Sequence, residues 1–214
     1  MIYAENILIC IAIPLIVSLL FVRGEVRRYL SAFLLGMGVC LLSAYISSFI
    51  GGAIGWSDNE TSVFLAPVIE EIMKLMPLGL FAILIVPEER RQTMLAVAVG
   101  AGFATFENCC YILTAGAENL GYILIRGFAV GVMHIVSILA LSLWFLIAKR
   151  HMVLNFSSIA IGVSIATIFH GLYNLLVSKP GISTIIGFMM PLFSALLLFA
   201  LTKRLSRNGP PGRG

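Results

Sequence analysis

Long runs of apolar residues, separated by short polar breaks, make up most of this chain. A transmembrane helix needs about 20 consecutive, mostly apolar residues, and most of the runs are close to that length. Runs this long and uniformly apolar are typical of membrane helices and not of barrel strands, in which apolar and polar positions alternate. The pattern predicts seven helices, at residues 3–22, 29–50, 61–86, 92–115, 121–148, 155–178 and 182–202.

The composition also favours a membrane protein. Of the 214 residues, 60% are hydrophobic and 11% are charged, and the mean hydropathy is +1.04. Soluble domains have about 45–50% apolar and about 25% charged residues. We therefore predict an all-α, polytopic transmembrane helix bundle with about seven spans, located in the cell membrane as a multi-pass protein. Residues 1–205 are predicted to form one helical domain, and the Arg/Gly/Pro-rich residues 206–214 a disordered tail.

The basic residues predict the orientation of the bundle. In membrane proteins, lysine and arginine are concentrated in the cytoplasmic loops. Eleven of them follow the first, third, fifth and seventh predicted spans, whereas the alternate loops hold Lys179 alone. The N-terminus is therefore predicted to lie outside and the C-terminus in the cytoplasm. Because the basic residues form no continuous stripe, we expect the lipid bilayer as a partner and no nucleic acid.

The third predicted span carries three charged residues. A charge near the bilayer centre costs about 2.5–3.5 kcal/mol on insertion scales, so such side chains usually face the bundle interior and mark function. Glu70 and Lys74 are four residues apart on one helix face and can pair, while Glu71 lies about 100° round the helix. The lysine would then neutralise one carboxylate and leave another free for proton transfer. Pro67 and Pro77 flank these residues and predict a local kink.

The next three predicted spans also carry polar or aromatic side chains of interest. In the fifth span, a G-x-x-x-G spacing at 127–131 permits close helix approach. Residues four apart share a helix face, and two of the spans contain such a pair. In chain order, the residues are Phe103 with Glu107 in the fourth span, His134 in the fifth, and His170 with Asn174 in the sixth.

Depth in the membrane connects these residues. At about 1.5 Å per residue, Glu70 lies about 14 Å from the outer end of its helix, Glu107 about 12 Å, His134 about 20 Å and His170 about 12 Å. The helices alternate in direction, so nothing in the local sequence requires these depths to agree. The agreement, in the outer half of the membrane, predicts a single shared site.

Each polar residue also has a purely structural interpretation. The ion pair of the third span could set the helix register, and each histidine could form a hydrogen bond in the core or between helices. Arg126 is expected at the interface, extending outward toward Glu118. Four independent structural contacts at one depth are nevertheless less economical than one common site.

Taken in order, these motifs resemble those of a known family. Residues 70–74 match E-E-x-x-K, residues 103–107 match F-x-x-x-E, and a lone His134 precedes an H-x-x-x-D/N motif at residues 170–174. This arrangement is similar to that of the PrsW intramembrane proteases, which are grouped with the bacterial Abi proteins and the CAAX prenyl endopeptidases. The similarity covers roughly residues 61–178. Asn174 stands where PrsW proteins usually have Asp, which is closer to the Abi pattern.

The resemblance implies an endopeptidase that works inside the membrane. It implies that a glutamate-activated water hydrolyses a peptide bond in a membrane-tethered protein. The expected substrate is a single-span membrane protein, such as an anti-sigma factor cut from the extracytoplasmic side. The depth of the predicted site, obtained from the loop charges, agrees with that side.

The leading mechanism places a water molecule between Glu70 and Glu107. Two neighbouring carboxylates can have different protonation states, so that one holds a proton while the other accepts one. Glu70 would act as the general base, with Glu71 as the alternative. The histidine of the fifth span, or the histidine and asparagine of the sixth, would donate hydrogen bonds to the developing oxyanion. The candidate catalytic residues are Glu70, Glu71, Glu107, His134, His170 and Asn174, with Lys74 and Phe103 in support.

Three other interpretations remain open. Two histidines and two carboxylates could bind zinc, but Lys74 would oppose a second cation nearby, so a site without a cofactor is preferred. The same buried groups could form a proton or ion relay in a small transporter. A non-catalytic membrane scaffold is the third alternative, although a scaffold has no need of the full set of Glu and His residues.

Overall fold

The structure of the protein is a computed structural model that describes residues 4–80, 89–115 and 119–207. Every regular element in these residues is helical, which confirms the predicted all-α class. A π-helical turn, Thr61–Leu65, joins the third helix to the fourth. The helices are α1 (Ala4–Ser18), α2 (Gly24–Ile54), α3 (Asp58–Glu60), α4 (Ala66–Leu80), α5 (Glu89–Ala115), α6 (Leu120–Arg150), α7 (Phe156–Val177) and α8 (Ile182–Arg207).

Five helices in the described residues are long and apolar enough to cross a membrane, namely α2, α5, α6, α7 and α8. For two of the seven predicted spans, the helix in the structure differs from the predicted range. The run at 3–22 is a shorter apolar helix, α1, which ends at Ser18. The run at 61–86 consists of the π-helical turn and α4, and its residues 81–86 lie outside the described residues. In the predicted tail, residues 206 and 207 still belong to α8, and residues 208–214 lie outside the described part.

Local capping explains where several helices begin and end. Ser57 and Glu60 form a capping box at the start of α3, each side chain accepting a backbone N–H of the other residue. The side chains of Asn119 and Asn155 cap α6 and α7 in a similar way. Helix α2 ends at Gly55, whose φ of 73° is left-handed and favours glycine.

Helix α5 runs through the middle of the bundle, because small residues let it approach its neighbours closely. A Cβ atom on Gly102 of α5 would overlap the carbonyl oxygen of Phe33 in α2, and a Cβ on Gly36 of α2 would overlap that of Val99 in α5. Such small-residue contacts bring membrane helices together at backbone distance. The G-x-x-x-G spacing at 127–131 was expected to play this role, but a Cβ on Gly131 would meet nothing within 4 Å. Close approach therefore depends on other glycines, those between α2 and α5 and also Gly100 of α5, whose added Cβ would lie 3.0 Å from a backbone atom of α6.

Outward-facing side chains are largely apolar. Helix α8 exposes Phe193, Leu196 and Phe199, each more than 60% accessible, and α2 exposes Phe49 at 77%. Several charged side chains lie inside the bundle, among them Glu71 and Lys74 with no accessible surface. An apolar exterior around a polar interior is the arrangement that a lipid environment favours, and the protein is an integral membrane protein.

Candidate intramembrane active site

Ionisable side chains from four helices meet in the interior of the bundle. Their meeting is what the shared depth predicted. Four of them have at most 1% of their surface exposed: Glu71, Lys74, His134 and His170. The full set is Glu70, Glu71 and Lys74 from α4, Glu107 from α5, His134 from α6 and His170 from α7.

Lys74 is the centre of one half of this cluster. Its Nζ donates to Glu71 Oε1 at 2.6 Å and to Ser137 Oγ at 3.3 Å, and it lies 2.9 Å from His134 Nδ1. These three contacts use all three N–H groups of a lysine ammonium. The expected pairing of Lys74 with Glu70 is therefore wrong. Residues three and four apart are both neighbours on a helix, and Lys74 pairs with the carboxylate that is fully buried.

Glu71 accepts hydrogen bonds from three side chains, mainly through Oε1. Besides Lys74, it accepts a hydrogen bond from His170 Nδ1 at 2.9 Å and from the Ser137 hydroxyl at 3.1 and 3.2 Å. A carboxylate can only accept, so His170 must carry its proton on Nδ1. The other ring nitrogen, Nε2, is then an acceptor, and it faces Glu70 Oε2 at 3.7 Å.

Glu107 forms the second half of the cluster. Its Oε2 is hydrogen bonded to His134 Nε2, and its Oε1 lies 3.5 Å from Arg126. Because Lys74 donates to His134 Nδ1, the proton of the neutral imidazole is on Nε2 and is donated to Glu107. His134 thus connects the two halves, and Phe103 packs against its ring with centroids 4.6 Å apart.

Arg126 belongs to this half and does not extend outward as expected. Its guanidinium lies 3.4 Å from the ring centroid of Tyr111 and donates to Asn108 Oδ1 at 2.8 Å. Glu118, its expected partner, lies outside the described residues. Arg126 is six residues into α6, or about 9 Å along its axis, which is close to the depth of Glu107. Depth counting could have found this contact.

Glu70 differs from the other two carboxylates. Glu71 has Lys74 as a cationic partner, and Glu107 has Arg126. Within the described residues, no lysine or arginine lies at ion-pair distance from Glu70, and its buried Oε2 has no hydrogen-bond partner. The same oxygen lies 3.7 Å from His170 Nε2.

Asn174 occupies a separate position from the other predicted site residues. Its side-chain N–H donates to the backbone carbonyl of Ser62 at 3.0 Å. Ser62 lies in the π-helical turn that precedes α4, and such turns are frequent at functional sites. The structure therefore places His170 in the cluster and Asn174 at the start of the segment that carries Glu70. The sequence did not single out Ser137, although it lies three residues after His134 on the same face.

A metal ion would have to use Glu70, His134 and His170, which each offer one ligand atom within 4.8 Å of the others. Glu70 Oε2 and His170 Nε2 are available. His134 has both ring nitrogens engaged, by Lys74 and by Glu107. Catalytic zinc sites have three protein ligands, so the residues as arranged do not fit the metal without breaking one of these bonds.

Apolar helices of membrane-spanning length that enclose acid, base and imidazole groups define an integral membrane protein with an intramembrane polar site. Residues 25–201 match the family model described as PrsW family intramembrane metalloprotease, and the chain belongs to this family. The matched residues include the whole cluster. The protein is therefore a membrane protease. No curated protein and no solved structure gives a significant match.

Proposed function

We propose that the protein hydrolyses a peptide bond of a membrane-tethered protein with a water molecule activated by Glu70, without a metal ion. The observation that carries this proposal is that Glu70 has a buried oxygen free of hydrogen bonds and no cationic partner among the described residues. A carboxylate in that environment gains by accepting a proton, which is what a general base does.

The spacing around Glu70 suits a water molecule. Glu70 Oε2 and His170 Nε2 lie 3.7 Å apart, so one water molecule beside them can lie at an ordinary hydrogen-bond length, about 2.8 Å, from both atoms. Glu70 Oε2 and His170 Nε2 are both acceptors, so they can take the two hydrogens of one water and leave its lone pairs directed toward a substrate carbonyl.

The reaction then follows in two steps. Glu70 takes a proton as the water oxygen forms a bond to the carbonyl carbon. The tetrahedral intermediate collapses when Glu70 returns that proton to the amide nitrogen and the C–N bond breaks. His170 orients the water, and Glu71 orients His170. This assignment replaces Glu107 by His170 as the second group on the water.

Glu71 is a poor candidate for the base. Its two oxygens accept hydrogen bonds from Lys74, His170 and Ser137, so proton uptake would break an ion pair between fully buried groups. We infer instead that Lys74 with Glu71, and Arg126 with Glu107, compensate charge around the catalytic water. The buried cations then keep the two carboxylates ionised beside Glu70.

The substrate we propose is a single-span membrane protein, such as an anti-sigma factor, cut near the extracytoplasmic face of the cell membrane. The distribution of basic residues supports an outside N-terminus, and the cluster then lies in the outer half of the membrane. A desolvated site among membrane helices has access to residues that soluble proteases cannot reach.

A metal-dependent protease is the second candidate. Two observations favour it: the clustering of Glu70, His134 and His170, and the description of the family as metalloproteases. It would require His134 to release Lys74 or Glu107. The two candidates differ in their response to metal removal.

The test is cleavage of a single-span substrate by the purified protein in liposomes. We expect Glu70→Gln to abolish cleavage, because an amide cannot accept the proton, while the helical content stays unchanged. Glu60→Gln, at an exposed glutamate in the α3 capping box, is the matched control and should cleave at the wild-type rate. Cleavage by Glu70→Gln at the rate of the control would overturn the proposal.

A further inference from the structure

Peptide hydrolysis also needs a hydrogen-bond donor for the carbonyl oxygen, which becomes negatively charged as water attacks. The donors in the cluster are already in use. Lys74 donates to Glu71, to His134 and to Ser137. The N–H groups of the two histidines are directed to Glu107 and Glu71. Neither histidine has a second N–H to offer a substrate while it is neutral.

The polar groups around the cluster are also engaged. Arg126 donates to Asn108 and lies beside Glu107, while its guanidinium covers Tyr111. Asn174, which the sequence offered as an oxyanion donor, donates to the carbonyl of Ser62. Within the described residues, a buried donor that has no hydrogen-bond partner could serve the substrate carbonyl without breaking any of these bonds.

Tyr173 supplies an unused donor. Its hydroxyl is buried and has no hydrogen-bond partner among the described residues, and the whole side chain is 2% exposed. Buried polar groups almost always have a partner. The two buried side-chain atoms without one, in the part of the chain that the structure describes, are Glu70 Oε2 and Tyr173 Oη. One is an acceptor and the other can donate.

The position of Tyr173 connects it to the site. It lies on α7, three residues after His170, so the two side chains project to neighbouring parts of one face. It belongs to an apolar cluster with Ala104 of α5 and Met133 of α6. Ala104 lies one turn before Glu107, and Met133 directly precedes His134. The ring therefore packs between α5, α6 and α7, next to the turns of these helices that carry Glu107, His134 and His170.

We propose that Tyr173 is a catalytic residue, whose hydroxyl donates a hydrogen bond to the carbonyl oxygen of the peptide bond under attack. The assignment rests on the proposed function. Glu70 and Tyr173 then complement each other, because the base accepts the proton of the water while the phenol stabilises the oxyanion. The substrate completes the hydrogen bonding that the protein alone leaves unfilled at both atoms.

The test is Tyr173→Phe, which removes the hydroxyl and keeps the ring. Loss of one oxyanion donor lowers kcat about 10²–10³-fold in other hydrolases, and we expect a fall of that size with KM little changed. Because the hydroxyl has no partner among the residues that the structure describes, its removal should leave Tm unchanged or raise it. Tyr45→Phe is the matched control, since the Tyr45 hydroxyl is exposed and bonded to Glu5 of α1, and it should keep the wild-type kcat.

Two results would overturn the assignment. The first is a kcat for Tyr173→Phe equal to that of Tyr45→Phe. The second is a fall in kcat together with a fall in Tm, which would identify a structural hydrogen bond.

Measuring Glu70→Gln on the same substrate separates this inference from the proposed function. If Glu70→Gln is inactive and Tyr173→Phe is fully active, the Tyr173 assignment alone fails. If Glu70→Gln cleaves normally, the proposed function itself fails.

Discussion

Lys74 Nζ lies 2.6 Å from Glu71 Oε1, and in the part of the chain that the structure describes no lysine or arginine lies at ion-pair distance from the adjacent Glu70. Two neighbouring carboxylates on one helix therefore differ in their ion pairing. Glu71 is held ionised by a buried lysine and two further donors, whereas Glu70 faces His170 across 3.7 Å. This asymmetry separates a structural carboxylate from a reactive one.

The asymmetry predicts different effects of the same substitution at the two positions. Glu71→Gln leaves the Lys74 ammonium without its counter-ion in the bundle interior, and breaking a buried ion pair costs about 3–5 kcal/mol. Glu70→Gln breaks no ion pair with a lysine or arginine and should not lower Tm. Thermal unfolding of both variants in detergent tests this. Equal losses of Tm would contradict the pairing, and a Glu71→Gln/Lys74→Met double variant should recover part of the loss.

Metal removal should leave activity unchanged. His134 shares its two ring nitrogens between Lys74 and Glu107, so the site offers one ligand fewer than a catalytic zinc needs. We expect the purified protein to keep its kcat after treatment with 1,10-phenanthroline or EDTA. Inactivation by chelators that added zinc reverses would support the metal-dependent candidate instead.

The shape of the Arg126 side chain, as well as its charge, should be important for activity and for stability. Its flat guanidinium covers Tyr111 and bonds to Asn108, beside Glu107, and a lysine cannot reproduce that arrangement. We expect Arg126→Lys to lose activity and to lower the free energy of unfolding by about 1.5–3 kcal/mol, the usual range for a charge-assisted hydrogen bond. Lys179→Gln, in the turn between α7 and α8, is the control. Wild-type stability of Arg126→Lys would mean that charge alone matters.

Close packing of α2 against α5 should be intolerant of an added methyl group. Gly102→Ala would place a Cβ onto the carbonyl oxygen of Phe33, and overpacking costs about 1–3 kcal/mol or more when backbone has to move. Gly131→Ala, which meets nothing within 4 Å, should be neutral. The measurement is the Tm and the yield of monodisperse protein. Similar values for the two variants would argue against the contact.

The residues that form the site could be predicted from the sequence, because the number of residues from the end of a helix gives the depth of a side chain in the membrane. A helix rises about 1.5 Å per residue, and the loops fix where each apolar run begins. Glu70, Glu107, His134 and His170 were therefore expected to meet, and they do. The same count applied to Arg126 would have placed it beside Glu107.

Depth alone could not predict which side chains of the site pair with one another. Lys74 has one glutamate three residues before it and another four before it, and local geometry permits either pair. The choice depends on how far α4 is rotated toward α6, which supplies Ser137 and His134. Asn174 likewise has its partner only because a π-helical turn brings the carbonyl of Ser62 within reach.

The amino-acid sequence was sufficient to predict a helical membrane protein and to predict which ionisable residues lie at a common depth in it. Both follow from the rise of a helix and from the cost of placing charge in lipid. The packing of the helices sets the pairing of Lys74 with Glu71 and, within the described residues, leaves Glu70 Oε2 and the Tyr173 hydroxyl without a hydrogen-bond partner. Rotation about each helix axis sets these contacts, and that rotation depends on packing between helices, as at Gly36 and Gly102, which no single segment contains.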